Sequence, residues 1–364
     1  MINKIVRPDI QALSAYPVPD ASGMLKLDAM ENPYRLPPEL QVKLAHALST
    51  VELNRYPVPH YAQLKQALAE RFGVPAGFDL VLGNGSDELI AMVSTACAKA
   101  GATVLAPVPS FVMYAMSAKF AGMAFVGVPL QADFTLDMPA MLASIADHRP
   151  AITYLPYPNN PTGGLFAVHE LEQILEAVGE FGIVVVDEAY QPFAQCSFMP
   201  RLAEFPNLIV MRTISKLGMA GLRLGYMSGA KDLLHEFDKV RPPYNINVLT
   251  EAACLCLLEH TEVFDQQATV LREQRTLLAQ QLTAIDGVTV FASAANFLLI
   301  RVSHPEITQA YGTQVFEKLL EQKILVKNVG KMHELLKDCL RITVSTPEEN
   351  ALFLQGFKLA HITD

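Results

Sequence analysis

The sequence predicts an α/β protein: a mostly parallel sheet flanked by helices, followed by a smaller α+β domain. Short apolar strands alternate with helical segments from about residue 60, as in successive βαβ units. After about residue 240 a long helical segment leads into strands interleaved with shorter helices. We therefore predict a proline-rich N-terminal arm (1–35) that packs with the small domain, a large domain (36–240) and a small C-terminal domain (241–364).

The individual elements follow from hydrophobic periodicity and from glycine, proline and asparagine at their ends. Ser86 is predicted as the N-cap of a helix with acidic residues in its first turn. Helices are predicted at 61–73, 86–100, 111–122, 169–182 and 261–285. Strands are predicted at 103–107, 124–130, 151–156, 183–190, 208–212, 220–226, 288–293, 296–302 and 340–345.

Composition excludes several classes of protein. Hydrophobic residues make up 51% of the 364 residues and the formal net charge is −9, so a large core is expected and nucleic acid is a poor partner. No apolar run reaches the roughly 20 residues of a membrane span, and the N-terminus does not resemble a signal peptide. Five irregularly spaced cysteines indicate free thiols in the cytoplasm, and no ligand pattern for a metal is present.

Two segments at predicted strand ends suggest a ligand site. In LVLGNGSDELI, Gly85, Ser86 and Asp87 join a strand to a helix, where backbone N–H groups can bind a phosphate. The third glycine of a dinucleotide fingerprint is missing, and a plain tight turn explains this segment equally well. Phe111 and Tyr114 follow the next strand, where a ring could cover a planar ligand, although at least one of them is expected in the core.

Polar residues follow two further strands. The loop YPNNPTG contains Asn160, whose amide could donate to an oxygen anion, and a simple turn is the alternative. The apolar run IVVV leads directly to Asp187, with Tyr190 three residues later. A buried aspartate needs a cationic partner, and the protonated nitrogen of a pyridine ring would be one.

The segment RTISKLGMAGLRLGY contains Lys216 among small and apolar residues. A lysine in a dry pocket near other cations has a lowered pKa, and its neutral amine can form a Schiff base. Thr213, Ser215 and Arg223 could hold a phosphate beside it. Together with the preceding segments, this one predicts a planar, phosphorylated, pyridine-like cofactor, pyridoxal 5′-phosphate.

The order of the motifs NPTG, DEAY, TISK and GLRLG resembles that of fold-type I pyridoxal-phosphate aminotransferases, over essentially the whole chain. Within this family the sequence is most similar to the histidinol-phosphate group. The resemblance implies that Lys216 binds the cofactor aldehyde and moves the proton, while Asp187 pairs with the ring nitrogen. It also implies that Asn160 and Tyr190 bind the phenolic oxygen and that Phe111 stacks on the ring. The implied phosphate site comprises Gly85, Ser86, Asp87, Thr213, Ser215 and Arg223.

The resemblance further implies that Tyr16, Asn32, Asn160 and Arg341 bind substrate, with Tyr34 near the site. Tyr56 resembles a tyrosine that reaches the phosphate of the neighbouring subunit, which implies a homodimer with shared sites. Two departures stand out. Met30 replaces the family's usual asparagine, and Lys327 stands where relatives often have a second arginine.

The implied reaction moves an amino group between L-histidinol phosphate and 2-oxoglutarate, gives glutamate and serves histidine biosynthesis. Other readings remain open at this point. The same scaffold serves aromatic amino-acid aminotransferases and a phosphothreonine decarboxylase. A nucleotide-dependent α/β enzyme using GNGSDE and a regulatory relative without catalysis are further alternatives, although the latter would not need Lys216.

Overall fold

The computed structural model describes residues 1–15, 18–307 and 309–361. The α-helices of these residues are α1 (Ile2–Ile5), α2 (Pro8–Gln11), α3 (Pro38–Ser49), α4 (Ala62–Phe72), α5 (Gly85–Cys97), α6 (Met113–Phe120), α7 (Met138–His148), α8 (Val168–Val178), α9 (Gln191–Ala194), α10 (Lys231–Asp238), α11 (Val248–Leu258), α12 (Thr261–Thr283), α13 (Tyr311–Glu321) and α14 (Pro347–His361). None of the helices in this part of the chain is long and apolar enough to cross a membrane.

The strands of the described residues are β1 (Leu25–Lys26), β2 (Asp79–Asn84), β3 (Thr103–Val108), β4 (Ala124–Pro129), β5 (Ile152–Pro156), β6 (Ile183–Asp187), β7 (Leu208–Thr213), β8 (Leu224–Gly229), β9 (Val288–Val290), β10 (Phe297–Val302), β11 (Ile324–Leu325), β12 (Lys327–Asn328) and β13 (Cys339–Thr343). Seven of them form one sheet in the order β2-β8-β7-β6-β5-β3-β4. Strand β8 runs antiparallel to β2 and β7, and the other neighbours are parallel. The predicted mostly parallel sheet is confirmed.

Helices cover both faces of this sheet, so its central strands are buried along their whole length. On one face, α5, α6 and α10 pack on the sheet through residues such as Leu89, Tyr114 and Phe237. On the other face, α7 and α8 contribute Ile145 and Leu171. Burial on both faces explains why β6 reads as an unbroken apolar run rather than an alternating one.

A second sheet has the order β12-β13-β10-β9 and is antiparallel throughout. Helices α12, α13 and α14 pack on it through an apolar cluster that includes Leu278, Val315 and Phe353. The N-terminal segment joins this part of the chain, because β1 pairs in parallel with β11. The boundaries at residues 35 and 240 stay predictions.

Two local predictions are wrong. Helix α5 begins at Gly85 with Asn84 at the N-cap, so Ser86 lies inside the first turn and does not cap it. The Glu88 carboxylate accepts the Asn84 N–H at 2.7 Å, which orders this helix start without Ser86. The strand predicted at 220–226 begins only at Leu224, because residues 220–222 form a 3₁₀ turn and Arg223 has a left-handed φ of +51°.

An ion pair between Glu188, the residue after β6, and Arg212 of β7 is enclosed in the core. Arg212 and Glu188 are 5% and 1% exposed, and Arg212 Nε donates to Glu188 Oε2 at 2.8 Å. Ser197 Oγ and the Phe198 N–H also donate to this carboxylate, at 2.8 and 2.5 Å. Removing one partner would leave a buried charge without its counter-ion.

We therefore expect Arg212→Met to lower the free energy of unfolding by about 3–5 kcal/mol in chemical denaturation. Arg201→Met is the matched control, because Arg201 pairs with Glu172 and Glu204 near the surface. Arg201→Met should lower the free energy of unfolding by no more than about 1 kcal/mol. Equal losses in the two variants would contradict a special cost for the buried pair.

Candidate active site

The carboxyl ends of parallel strands meet one cavity. Pro156, Asp187 and Thr213 are the last residues of β5, β6 and β7. Pro156 pairs directly with Asp187, and Thr213 lies two residues beyond Met211, the partner of Asp187 on β7. A cavity at this edge is the usual ligand position in an open α/β sheet. Its lining comprises Met30, Ser86, Asp87, Phe111, Tyr114, Pro156, Pro158, Asn160, Asp187, Ala189, Tyr190, Thr213, Ser215, Lys216 and Arg223.

Lys216 supplies the amine of this cavity. It lies in a tight turn, Ser215–Met219, directly after β7, and Nζ donates to the Ala29 carbonyl at 2.9 Å. Nζ also lies 5.9 Å from the centre of the Tyr190 ring. Burial, with a smaller effect from Arg341, lowers the pKa of Lys216 to about 8. The amine is therefore more often neutral near physiological pH than a surface lysine is.

Asp187 supplies a buried carboxylate, 5% exposed. Oδ2 accepts the Tyr114 hydroxyl at 2.7 Å, and Oδ1 accepts the Ala189 N–H at 3.1 Å. Burial raises the pKa of Asp187 to about 6, while these two hydrogen bonds act in the opposite direction. No salt bridge to Asp187 occurs within the described residues. A cationic ligand atom would lower the cost of burying its charge.

Asn160, Tyr190 and Arg341 form a chain of contacts at one side of the cavity. Asn160 Nδ2 donates to the Tyr190 hydroxyl at 3.1 Å, and Arg341 Nη1 donates to Asn160 Oδ1 at 2.5 Å. Arg341 Nη2 also donates to the Asp28 carbonyl at 2.7 Å. The structure thus brings the predicted substrate-binding arginine next to a residue that lines the cavity, although Arg341 comes from β13.

The opposite part of the cavity is suited to an anion. The first turn of α5 has no side-chain cap, and Ser86 and Asp87 of this turn line the cavity, so its backbone N–H groups are available to an anion there. Gly85 has a φ of +76°, and a Cβ there would lie 2.7 Å from Arg223 Nη2. A Cβ on Gly225 would lie 2.9 Å from the Ser86 nitrogen. These two glycines let β8 and Arg223 approach the helix start closely.

Two hydroxyls complete this anion end. Thr213 Oγ1 lies 2.8 Å from Ser215 Oγ and accepts the Ser215 N–H at 3.1 Å. Both side chains line the cavity with Arg223, whose guanidinium lies 3.8 Å from the Asp87 carboxylate. Hydroxyl and guanidinium donors grouped at one end of a cavity can bind the oxygens of a phosphate group.

Three predicted site residues lie elsewhere or outside the described residues. Asn32 is not among the lining residues; its Nδ2 donates to the Leu217 carbonyl at 3.0 Å and to Gln267 Oε1 at 2.9 Å, so it holds the loop that carries Lys216. Tyr56 is 79% exposed and stacks on Tyr244 at 4.6 Å, away from the cavity of its own chain. Tyr16 lies outside the described residues.

Sequence reasoning missed other contributors. The sequence does not decide whether Tyr114 lies in the core or covers a ligand. In the structure it lines the cavity and its hydroxyl donates to Asp187. The carbonyls of Asp28 and Ala29 hold Arg341 and Lys216, and no side-chain pattern can reveal a backbone acceptor. Met30 lines the cavity with a left-handed φ of +53°, a conformation that asparagine adopts more readily than methionine. This backbone conformation would suit the asparagine that the family resemblance implies at this position.

These residues fit pyridoxal phosphate. Its phosphate would be bound by three sets of donors. These are the N-terminal N–H groups of α5, which has no side-chain cap, the hydroxyls of Thr213 and Ser215, and the Arg223 guanidinium. The buried Asp187 carboxylate matches a protonated ring nitrogen, and the amine of Lys216 matches an aldehyde. An aromatic ring, Phe111, is also part of the lining.

Sequence comparison places the chain among known proteins. The family pattern described as aminotransferase class I and II matches residues 22–357. Histidinol-phosphate aminotransferase 2 of Cupriavidus pinatubonensis is 59% identical over 98% of this chain and 96% of that protein. Histidinol-phosphate aminotransferase 1 of Ralstonia nicotianae is also 59% identical, over 98% of this chain and 94% of that protein.

Solved structures share the fold. Histidinol-phosphate aminotransferase from Sinorhizobium meliloti, solved in complex with pyridoxal 5′-phosphate, has a TM-score of 0.85 at 24% identity, covering 98% of this chain and 97% of that one. L-threonine-O-3-phosphate decarboxylase from Porphyromonas gingivalis has a TM-score of 0.76 at 22% identity, covering 92% and 98%. The fold alone therefore does not separate these activities. The family match and the near full-length relatives show that the chain belongs to the class I and II aminotransferases, with the predicted fold-type I architecture, and groups with the histidinol-phosphate aminotransferases.

Proposed function

We propose that this protein is a pyridoxal-phosphate-dependent transaminase that moves an amino group between L-histidinol phosphate and 2-oxoglutarate in histidine biosynthesis. The observation that carries the proposal is a cavity with a low-pKa amine, Lys216, and a buried carboxylate, Asp187. The choice of substrate is supported by 59% identity to relatives named histidinol-phosphate aminotransferase over nearly the full length.

The chain's residues would hold the cofactor at both ends. Ser86, Thr213, Ser215 and Arg223 would bind its phosphate, and Asp187 would hold the proton of its ring nitrogen. Phe111 would cover the ring, and Tyr190 with Asn160 would bind its phenolic oxygen. When bound, pyridoxal phosphate supplies a ring that takes up the electron pair left when the C–H bond beside the substrate nitrogen breaks.

Lys216 is positioned to move the proton of that C–H bond. With a pKa of about 8, about a tenth of the Nζ amines are neutral at pH 7 and able to accept a proton. The Tyr190 ring lies within cation–π distance of Nζ, at 5.9 Å, so this ring borders the space in which the amine acts. Asn32 donates to the Leu217 carbonyl and so steadies the turn from which Lys216 projects.

Arg341 would bind the anionic group of either substrate. A guanidinium can grip the phosphate ester of histidinol phosphate or a carboxylate of glutamate through paired hydrogen bonds. Lys327 lies directly opposite Arg341 on the neighbouring antiparallel strand. Two cations at directly opposed positions repel each other, and an anion bound between them would offset this repulsion.

We also propose a homodimer in the cytoplasm. Leu53, Tyr56 and Tyr244 are exposed apolar residues that line one groove, which is typical of an interaction surface. Val58, two residues after Tyr56, is exposed as well. Because Tyr56 lies away from its own cavity, its proposed phosphate contact would be with the partner's site. All five cysteines are free thiols, which supports a reducing compartment.

The first prediction concerns the amine. In the cofactor-free protein, acylation of Lys216 measured by mass spectrometry should rise with pH to a midpoint near 8, because only the neutral amine reacts. Exposed lysines of the same protein serve as the internal control and should show midpoints near 10.4. A midpoint for Lys216 equal to that of the surface lysines would contradict a dry, cation-lined site.

The second prediction concerns the amino donor. With 2-oxoglutarate as acceptor, kcat/KM should be highest for L-histidinol phosphate and about tenfold to hundredfold lower for L-histidinol, which lacks the charged ester. Arg341→Met should remove most of this difference. Arg301→Met is the matched control, because Arg301 donates to the Leu335 carbonyl and lies over Phe291, remote from the cavity lining. A rate with phenylalanine equal to that with histidinol phosphate would refute the substrate assignment.

The third prediction concerns shared sites. Lys216→Ala and Tyr56→Ala chains should each be nearly inactive as pure dimers. Refolded together in equal amounts, they should recover about a quarter of the wild-type activity, because half the dimers are hybrids with one intact site of two. Activity no higher than the sum of the two pure variants, or a monomer in sedimentation, would refute a shared site.

A further inference from the structure

We propose that Tyr114 is a positioning residue, which fixes the Asp187 carboxylate toward the cavity and keeps it ionised for the cofactor ring. This inference rests on the proposed function. Tyr114 lies in α6, one turn after Phe111. Its position in the sequence, among apolar residues, does not predict a hydrogen-bonding role for its hydroxyl. Its hydroxyl nevertheless donates to Asp187 Oδ2 at 2.7 Å.

The hydrogen bonds of Asp187 fix its orientation. Tyr114 occupies a lone pair of Oδ2, and the Ala189 N–H occupies a lone pair of Oδ1 at 3.1 Å. A carboxylate oxygen can accept two hydrogen bonds, so each oxygen retains capacity for a donor inside the cavity. With one donor on each oxygen, the plane of the carboxylate cannot rotate without breaking a hydrogen bond in a buried setting.

The Tyr114 ring is itself held from two sides. It stacks on Tyr154 with 4.4 Å between ring centres and 5° between planes. Phe111 meets it edge to face at 5.7 Å and 86°. Tyr114 is fully buried, so its hydroxyl has no access to bulk water. One side chain thus links the carboxylate to the aromatic residue that would cover the cofactor ring.

The charge environment explains why such a donor is needed. Burial and the neighbouring carboxylates of Asp87 and Glu188 all raise the pKa of Asp187, and the two hydrogen bonds lower it. Tyr154 and Tyr190 also lie close enough to Tyr114 to contribute to the raised pKa of its hydroxyl, although burial is the main cause. Without the Tyr114 hydroxyl the pKa of Asp187 would rise further. A carboxyl group that is protonated near neutral pH cannot pair with a ring cation.

The test measures the dissociation constant of pyridoxal phosphate for cofactor-free protein from about pH 5.5 to about pH 8.5, by equilibrium dialysis. Tyr114→Phe retains the ring stacking and removes only the hydroxyl. We expect about tenfold weaker binding near neutral pH, and a midpoint of the pH profile that moves upward. Tyr154→Phe is the matched control: it removes a buried hydroxyl from the stacked ring, and its affinity should stay within about twofold of wild type.

A double-mutant cycle separates positioning from general packing. In an Asp187→Asn background, adding Tyr114→Phe should change the affinity by less than about twofold, because the hydroxyl then has no carboxylate to act on. An equal loss in both backgrounds, an unchanged affinity in Tyr114→Phe, or failure of that variant to fold would each overturn the inference. Wild-type protein that binds no pyridoxal phosphate at any pH would instead overturn the proposed function.

Discussion

The burial of Asp187 is the constraint on which the rest of the site depends. The carboxylate ends a fully buried strand and has no cationic partner among the described side chains. Two hydrogen-bond donors, Tyr114 and the Ala189 N–H, reduce the cost of its charge but do not cancel it, because its pKa stays near 6. A protonated ring nitrogen would complete the environment. Burial at the same cavity lowers the pKa of Lys216, so one enclosed space holds both a carboxylate that can pair with the ring nitrogen and an amine that can react with the aldehyde.

The fold brings these groups together from distant parts of the chain. Parallel strands β5, β6 and β7 deliver Pro156, Asp187 and Thr213 to one sheet edge, and the following turn carries Lys216. In the seven-stranded sheet, β8 runs antiparallel to both neighbours and returns the chain past the start of α5, where Gly85 and Gly225 permit close approach. Arg341 arrives from the second sheet and contacts Asn160. The N-terminal segment closes the arrangement, because its backbone carbonyls accept hydrogen bonds from both Lys216 and Arg341.

Much of this arrangement was predictable from the sequence, for physical reasons. Fully buried strands read as apolar runs, so the sheet and the polar residues at its edge, such as Asp187 and Thr213, could be located. Other features carry no local signal. Arg223 was expected on a strand but adopts a left-handed turn before it, and Ser86 was expected as a cap although Asn84 holds that position. The role of Tyr114 could not be read at all, since a buried tyrosine with a carboxylate partner looks like a core aromatic until the fold is known.

The pairing of Lys216 with a cofactor aldehyde is tested most directly by chemical capture of pyridoxal phosphate on the protein. Cofactor-free protein is incubated with pyridoxal phosphate, reduced with borohydride to make the amine–aldehyde adduct permanent, digested and mapped by mass spectrometry. We expect one adduct, on Lys216, and no adduct on that peptide when the incubation contains a large excess of histidinol phosphate as competing amine. Adducts spread over surface lysines such as Lys231 and Lys323, with Lys216 unmodified, would contradict this pairing.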